Sequence, residues 1–152
     1  MGSKVGYVTT KDFRTFSETR LFFEPGFSVI DGAILERGGR YHLFLKNENS
    51  NPPEKNIRVT SGDNPYDFPT AVSGPITGDY WAEGPAPLHV GDSVYVYFDK
   101  YRNRQYGAVR SADMIHWDDV SDEVVFPAGI RHGTAFPVSA NFLQTLLDAQ
   151  KK

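Results

Sequence analysis

The sequence predicts an all-β fold: a partial β-propeller of about three four-stranded antiparallel blades, followed by a short C-terminal helix. Strand-like runs recur between turn signals roughly every 8–12 residues, as in all-β folds. The 14 glycines and 10 prolines supply the turns, and an aromatic content of 14% favours sheets with stacking surfaces. Strand and turn patterns also repeat with a period of about 50 residues, the length of one propeller blade.

Each run of β-branched, aromatic and aliphatic residues between turn residues is predicted to form a strand. The predicted strands are 5–9, 20–24, 28–36, 41–46, 57–60, 82–90, 93–98, 106–110 and 123–126, with one further strand within 131–138. The polar, proline-rich stretch 48–55 is predicted to be a loop. Four apolar residues on one helical stripe predict an amphipathic helix within 140–152 that packs on the strands: Phe142, Leu143, Leu146 and Leu147.

Three turns share one pattern, in which a strand ends in Thr or Ser, an aspartate follows two residues later, and an aromatic residue comes soon after. The aspartates are Asp12, Asp63 and Asp113. A carboxylate in such a turn accepts backbone N–H bonds, so these three are predicted to be structural. The repeat places blade boundaries near residues 27, 79 and 130 of a single incomplete propeller domain over 1–152. Residues 1–3 resemble an added leader.

Composition restricts the partners. A net charge of −3 and a pI of about 5.8, without a basic run, argue against nucleic acid and anionic membranes. The chain has no cysteine, which excludes disulfides, iron–sulfur clusters and thiolate zinc sites. The sequence shows no signal peptide and no apolar run of the roughly 20 residues that a membrane span needs. A soluble protein is therefore expected, in a compartment that the sequence leaves open.

Three polar residues, Asp31, Glu83 and His132, recur about 50 residues apart at the starts of predicted strands. The innermost strands of propeller blades converge on the axis, so these side chains are expected to face one cavity. Glycoside hydrolysis needs one protonated acid, and a second carboxylate nearby would raise its pKa. Glu83, in a Glu-Gly-Pro turn, is the candidate acid. In the alternative interpretation, each acid caps a loop or pairs with an arginine such as Arg131.

Several neighbouring residues are candidates for substrate binding. Trp81, flanked by Tyr80 and Tyr101, could stack on a sugar ring, although core packing is also consistent with its position. Asp99 and Lys46 end the second strands of adjacent blades and could bind sugar hydroxyls or pair elsewhere. The candidate substrate-binding residues are Trp81, Asp99, Lys46, Arg131 and His132. No cofactor is required, no zinc-ligand or phosphate-loop motif is present, and His132 could hold a central ion through water.

Four stretches together resemble a known group of enzymes. They are 29–48 (VIDGAILERGGRYHLFLKNE), 82–101 (AEGPAPLHVGDSVYVYFDKY), the Ser-x-Asp-x-x-x-Trp element of 111–117, and Arg-His-Gly-Thr at 131–134. In order and spacing they resemble the five-bladed β-propeller glycosidases, closest to glycoside hydrolase family 43, whose plan the invertase-like family 32 shares. The resemblance implies that Glu83 is the general acid and that Asp31 tunes its pKa and orients substrate. It also implies that His132 lies near a central ion, such as calcium, or a water molecule.

The resemblance covers only the C-terminal part of such enzymes, because five four-stranded blades need about twice this length. It implies that the catalytic base belongs to the missing N-terminal part. The expected activity is hydrolysis of arabinose- or xylose-containing plant glycans with inversion. The alternative is a catalytically inactive carbohydrate-binding or interaction fragment. An incomplete ring exposes strand edges, so the chain is also expected to form homo-oligomers through them.

Overall fold

The computed structural model describes residues 2–150 and shows a mostly β chain. It contains nine strands, one short 3-10 turn and one C-terminal helix within those residues. The strands are β1 Val5–Tyr7, β2 Arg20–Phe23, β3 Val29–Arg37, β4 Arg40–Asn47, β5 Ile57–Gly62, β6 Glu83–Val90, β7 Ser93–Lys100, β8 Gln105–Ser111 and β9 Asp118–Asp119; the helix is α1 Ala140–Ala149. Met1 of the predicted leader and the last two residues of the predicted helix, Lys151 and Lys152, lie outside the described residues.

The strands form three antiparallel sheets in chain order. The first sheet pairs β1 with β2, the second runs β3-β4-β5, and the third runs β6-β7-β8-β9. The predicted antiparallel, mostly β fold with a C-terminal helix is therefore confirmed. The prediction of four strands per blade is wrong for the second sheet, which has three strands among the described residues, whereas the third sheet has four.

In the second sheet, residues 73–76 lie along β5 where a fourth strand would be expected. Ser73 N donates to Val59 O at 2.8 Å and Ile76 N donates to Ile57 O at 2.9 Å, so this stretch follows the outer edge of β5. Between those two residues lies Pro75, which has no N–H to donate. The stretch therefore covers the edge without forming a regular ladder.

Two predicted strands are wrong. Residues 123–126 do not form a strand, because β9 already occupies the outer edge of the third sheet and the chain then enters the 3-10 turn Ser121–Glu123. Residues 131–138 also lack strand structure. His132 has a φ of 26°, outside the extended region, and Gly133 and Pro137 both disfavour a strand.

The core lies on both faces of β4. Leu43 and Leu45 point into one apolar cluster with Phe23, while Phe44 points into the other with Phe98. This follows from the period of two along a strand, which sends successive side chains to opposite faces. Each fully buried side chain of this size contributes about 1.5–3 kcal/mol. The second sheet is thus packed between its neighbours, and the start of β6 lies against the end of β4.

The C-terminal helix forms as predicted but does not pack on the strands. Its first turn is capped by Ser139, whose Oγ accepts a hydrogen bond from Phe142 N at 3.2 Å. No helix residue is buried, and the apolar stripe named above is 46–51% exposed. The apolar side chains of the sheets are buried against one another, and the two core clusters include no residue of this helix. The prediction that the helix packs on the strands is therefore wrong. No helix within residues 2–150 is both long and apolar enough to span a membrane.

Two of the three turn aspartates have the predicted structural role. Asp12 Oδ1 accepts backbone N–H bonds from Arg14 and Thr15, both at 2.9 Å, and these bonds lower the pKa of Asp12 to about 2 despite the small opposing effect of burial. Asp113 Oδ1 accepts equivalent bonds at 2.8 Å from the backbone of Ile115 and His116.

Asp63 departs from this pattern. Its carboxylate pairs with Arg40 at 3.5 Å, and the turn bond is accepted instead by Asn64 Oδ1 from Tyr66 N at 2.9 Å. In this turn the aromatic residue, Phe68, comes one position later than in the other two. The extra residue shifts the bonding position from 63 to 64.

Candidate active site

Two β-bulges position the acids. The register of β3 against β4 shifts between Ile30 and Ala33, and that of β6 against β7 shifts between Glu83 and Ala86. Within the bulges, Asp31 and Gly84 both have left-handed φ values, 55° and 62°. Asp31 is therefore equivalent to Gly84, and Glu83 is equivalent to Ile30. The predicted equivalence of Asp31 with Glu83 is wrong by one residue. The two strands carry the same bulge, but Asp31 lies within its bulge whereas Glu83 lies immediately before the other.

Asp31, Glu83 and His132 nevertheless meet. Gly84 N, directly after the acid, donates to Asp31 Oδ2 at 3.0 Å, and His132 Nε2 lies 2.9 Å from Glu83 Oε1. One ligand atom from each of the three side chains lies within 4.8 Å of the others. A Cβ atom at position 84 would lie 3.0 Å from His132 Nδ1, so glycine suits both the positive φ and the close approach of the imidazole.

Lys46 joins this cluster to a second pair of charges. Lys46 is the next-to-last residue of β4, and its side chain is only 3% exposed. Its Nζ lies 2.9 Å from Glu83 Oε2 and 2.7 Å from Glu48 Oε2. Glu48 Oε1 in turn lies 2.7 Å from Lys55 Nζ. Sequence analysis missed Glu48 and Lys55. The available signal was the Lys-x-Glu spacing at the end of β4, where every second residue faces the same way.

This environment determines the charge of Glu83. Burial alone raises the pKa of Glu83, but hydrogen bonds from Lys46 and His132, together with the charge of Lys46, outweigh burial and hold that pKa below its ordinary value. The expectation that Asp31 raises the pKa of Glu83 and keeps it protonated is therefore wrong for this arrangement. The positive charge beside Glu83 Oε2 is the Lys46 ammonium, and it stabilises the ionised carboxylate.

Stability at acid pH should report this arrangement. Because the pKa of Glu83 is lower in the folded state, its contribution is present above the ordinary value of 4.5 and is lost as pH falls through the folded-state pKa. We expect Glu83→Gln to lose less stability on acidification than the native chain, measured by urea unfolding at a series of pH values. The matched control is Glu123→Gln, which alters an exposed ion pair with Arg110. Equal slopes for the native chain and Glu83→Gln would contradict the assignment.

Asp99 and Arg131 form a further ion pair beside Glu83. The side chain of Asp99 is 0% exposed, and its Oδ2 accepts a hydrogen bond from Arg131 Nε. A second guanidinium nitrogen of Arg131 lies 4.0 Å from Glu83 Oε1. For Asp99 and Lys46, the sequence left open whether they bind sugar hydroxyls or pair elsewhere. Both are buried and paired with protein charges, so the structure follows the alternative interpretation that they pair elsewhere.

The aromatic residues at this end have two different roles. The rings of Trp81 and Tyr101 lie 5.9 Å apart at 54°, and the Arg102 guanidinium lies 4.3 Å from the centre of the Trp81 ring. Tyr80 instead stacks on Phe98 in the core, with its hydroxyl 2.6 Å from Asp119. Trp81 lines an open pocket of about 220 Å³ with Tyr80 and Lys55. Stacking of Trp81 on a sugar stays a prediction.

An open pocket of about 290 Å³ lies over the bulges. Asp31, Gly84 and His132 contribute to its wall together with Pro85 and Thr134. Its size is at the lower end of the roughly 300–1,000 Å³ of small-molecule sites. A carboxylate and an imidazole converge on it, which suits a polar ligand rich in hydroxyl groups.

The described residues alone are a poor match to a calcium site. Calcium takes about 6–8 oxygen ligands. Here Glu83 is already bound by Lys46 and His132, and Asp31 Oδ2 accepts the Gly84 N–H bond. Two cationic side chains, Lys46 and Arg131, also adjoin the cluster. A central ion therefore stays a prediction of the resemblance.

The antiparallel β chain thus carries an acid immediately before a bulge, a second carboxylate on the next amide and a histidine against the acid, an arrangement compatible with a glycosidase domain. The comparison with known families supports this class. The chain belongs to the family described as "Probable glycosyl hydrolase domain", which is related to glycoside hydrolase family 43, and the family model matches residues 1–143.

Individual relatives match parts of the chain. An α-L-arabinofuranosidase from Bifidobacterium longum subsp. longum is 39% identical over 46 residues, which is 30% of this chain and 4% of that protein. A solved glycosyl hydrolase from Bacteroides ovatus superposes with a TM-score of 0.56 over 78% of this chain and 40% of its own, at 18% identity, and so supports the fold. The chain spans less than half the length of either relative.

Proposed function

We propose that this chain is part of an O-glycoside hydrolase of the arabinosidase or xylosidase type that acts on plant-type glycans with inversion. The observation that carries the proposal is the position of Glu83. Its carboxylate lies 2.9 Å from both Lys46 and His132, and the following amide lies 3.0 Å from Asp31. Membership of a family related to glycoside hydrolase family 43 supports the class of reaction.

In this proposal the three sheets are successive blades of one incomplete propeller domain, with boundaries near residues 27, 79 and 130. The equivalent bulges in β3 and β6 support it, as does the bond from Gly84 to Asp31 between the two sheets. Further blades would close the ring, and the catalytic base would belong to them. The relatives are long enough to contain such blades.

The proposed chemistry is a single displacement. Glu83 donates its proton to the glycosidic oxygen as the bond from that oxygen to the anomeric carbon breaks. A base outside this chain takes a proton from the water that attacks the opposite face of the sugar. Asp31 Oδ1 accepts a hydrogen bond from a sugar hydroxyl, while Oδ2 stays on Gly84 N. Arg131 and Trp81 border the substrate.

The lowered pKa of Glu83 predicts an acidic pH range for hydrolysis. Only protonated Glu83 can donate, so the rate should fall as pH rises through its pKa. Lys46→Met removes the nearest positive charge, which raises the pKa of Glu83 and should move this fall to higher pH. The measurement is the pH–rate profile of both proteins on an aryl glycoside, with an external nucleophile such as azide held at the same concentration of anion at every pH. Superimposable profiles would contradict the proton-donor role.

The direct test replaces Glu83 by glutamine. Azide is added as an external nucleophile, because it needs no base and can substitute for the missing group. Release of phenol from phenyl α-L-arabinofuranoside or β-D-xyloside should fall about 100-fold or more in Glu83→Gln. Glu36→Gln is the matched control, since Glu36 lies near the end of β3 and its side chain accepts a bond from Gly39 N in the following turn. Equal background rates in all three proteins would exclude hydrolysis by this chain.

A second candidate function is carbohydrate binding without hydrolysis. It is favoured by the charge of Glu83, both of whose oxygens are bound by cationic or proton-donating side chains. Calorimetric titration with arabinoxylan oligosaccharides separates the two. Binding retained in Glu83→Gln, without turnover in the native chain, would favour the second candidate.

We also propose that the chain self-associates through exposed strand edges. Leu21 on β2 and Ile34 on β3 are exposed apolar residues near such edges. Sedimentation velocity at micromolar concentration should then detect a species of at least twice the chain mass of 17.0 kDa. A single monomeric boundary would contradict self-association.

A further inference from the structure

We propose that Asp99 and Arg131 form a clamp that positions His132 on Glu83, so that both act as positioning residues. This role differs from the substrate binding for which the sequence made Asp99 and Arg131 candidates. The inference rests on the proposed function in so far as Glu83 is the acid. Its structural content is separate: the Asp99–Arg131 pair places the imidazole.

The first observation is that the Lys46–Glu83 and Asp99–Arg131 ion pairs have the same arrangement, with the positions of the cation and the anion exchanged. Ile30 pairs with Lys46 and Glu83 pairs with Asp99, each immediately before a bulge. Lys46 reaches across to Glu83 of the next sheet, and Asp99 reaches in the same way to Arg131. Arg131 is therefore the partner of Asp99 in the same way that Glu83 is the partner of Lys46.

The residues that follow reinforce the equivalence. Gly84 follows Glu83 and His132 follows Arg131, and both have positive φ values, 62° and 26°. Asp31 holds the amide of Gly84, and the imidazole of His132 lies against Gly84 in turn. Residues 130–134 therefore occupy the position of a third bulge although they form no strand.

The second observation is the burial of Asp99. Its side chain has no exposed surface, and within residues 2–150 its Oδ1 has no hydrogen-bond partner. A buried carboxylate is costly unless a cation neutralises it. Arg131 provides that charge, so the ion pair holds the backbone next to His132 firmly.

The third observation is the scarcity of other anchors. Residues 131–134 form no strand ladder, and their backbone is held by the Tyr106 hydroxyl, which accepts from Gly133 N at 3.2 Å and donates to Gly133 O at 3.4 Å. His132 Nε2 meets Glu83 at 2.9 Å, whereas the Arg131 guanidinium is 4.0 Å from the same oxygen. Arg131 therefore acts on Glu83 through the placement of His132.

The test is an NMR measurement of the His132 imidazole in the full chain. In the native protein we expect a slowly exchanging ring N–H signal from the Nε2 bond to Glu83, identified by its loss in His132→Gln. Arg131→Met should lose this signal, and Arg131→Lys, which keeps the charge, should retain part of it. Arg110→Met removes an exposed arginine–carboxylate pair and is the matched control.

Asp99→Asn covers the case in which Arg131→Met fails to fold. The amide has the shape of the carboxylate but lacks its charge, so the ring signal should broaden or disappear while the amide spectrum of the sheets persists. Retention of the native ring signal in a folded Arg131→Met or Asp99→Asn protein would overturn the clamp. If the clamp holds but Glu83→Gln leaves turnover unchanged, the proposed function fails and the positioning inference stands.

Discussion

Replacing Lys46 by methionine is expected to lower the free energy of unfolding by about 3–5 kcal/mol, the usual cost of removing one partner from a buried ion pair. Methionine keeps most of the apolar length of lysine, so the loss reports the charge. Without Lys46, whose side chain is 3% exposed, the carboxylates of Glu83 and Glu48 lose the ammonium that lies between them. Urea unfolding at neutral pH measures the change.

The control for this prediction is Lys4→Met. Lys4 also pairs with a glutamate, Glu24, but both side chains are about two-fifths exposed. Such surface pairs contribute about 0–1 kcal/mol, so this variant should change stability little. A loss in Lys46→Met no greater than that in Lys4→Met would contradict the buried-network interpretation.

Replacing Phe44 by alanine is expected to cost about 3–5 kcal/mol, since it removes a fully buried ring and leaves a cavity. Phe44 lies in the apolar cluster between the second and third sheets and meets the Trp117 ring edge to face at 5.9 Å. The cavity would loosen the contact that places the end of β4 against the start of β6. Thermal and urea unfolding measure the loss.

Phe13→Ala is the matched control, because the same ring is removed from a turn where it is 86% exposed. Its effect should lie within about 0.5 kcal/mol. If Phe44→Ala and Phe13→Ala were equally stable, the two sheets could not share the core described above.

The strands of the second and third sheets could be predicted closely because their patterns are strong. The run 93–98 alternates, and the structure extends that strand only to Ser93–Lys100. The predicted strand 41–46 became Arg40–Asn47, the strand with core on both faces. Edges were harder, since the short outer strand Asp118–Asp119 has no apolar pattern and forms where β8 offers free backbone groups.

The site could be predicted as a set of residues but not as a geometry. Counting along the repeat identified Asp31, Glu83 and His132, yet in the register Glu83 corresponds to Ile30 and lies before its bulge, whereas Asp31 lies within a bulge. A bulge depends on backbone pairing between strands, which residue types indicate only through a glycine such as Gly84. The spacing therefore predicted which residues lie close together but not their alignment between the strands.

The charge of Glu83 could not be read from sequence, because its partners come from separate parts of the chain. Burial raises the pKa of Glu83, whereas Lys46 from β4 and His132 from an irregular segment lower it. The same limit applies to the helix, where the stripe of Phe142 and Leu146 indicated a buried face without indicating a surface for it to cover.

The central claim is that Glu83 donates a proton to the departing sugar oxygen, and the dependence of its loss on the leaving group tests this most directly. With azide present, Glu83→Gln should release phenol from a phenyl arabinofuranoside or xyloside at least about 100-fold more slowly than the native chain. For the dinitrophenyl glycoside, whose leaving group needs no proton, the two proteins should react at nearly equal rates. An equal loss on both substrates, or no loss on either, would contradict the assignment of Glu83 as the general acid.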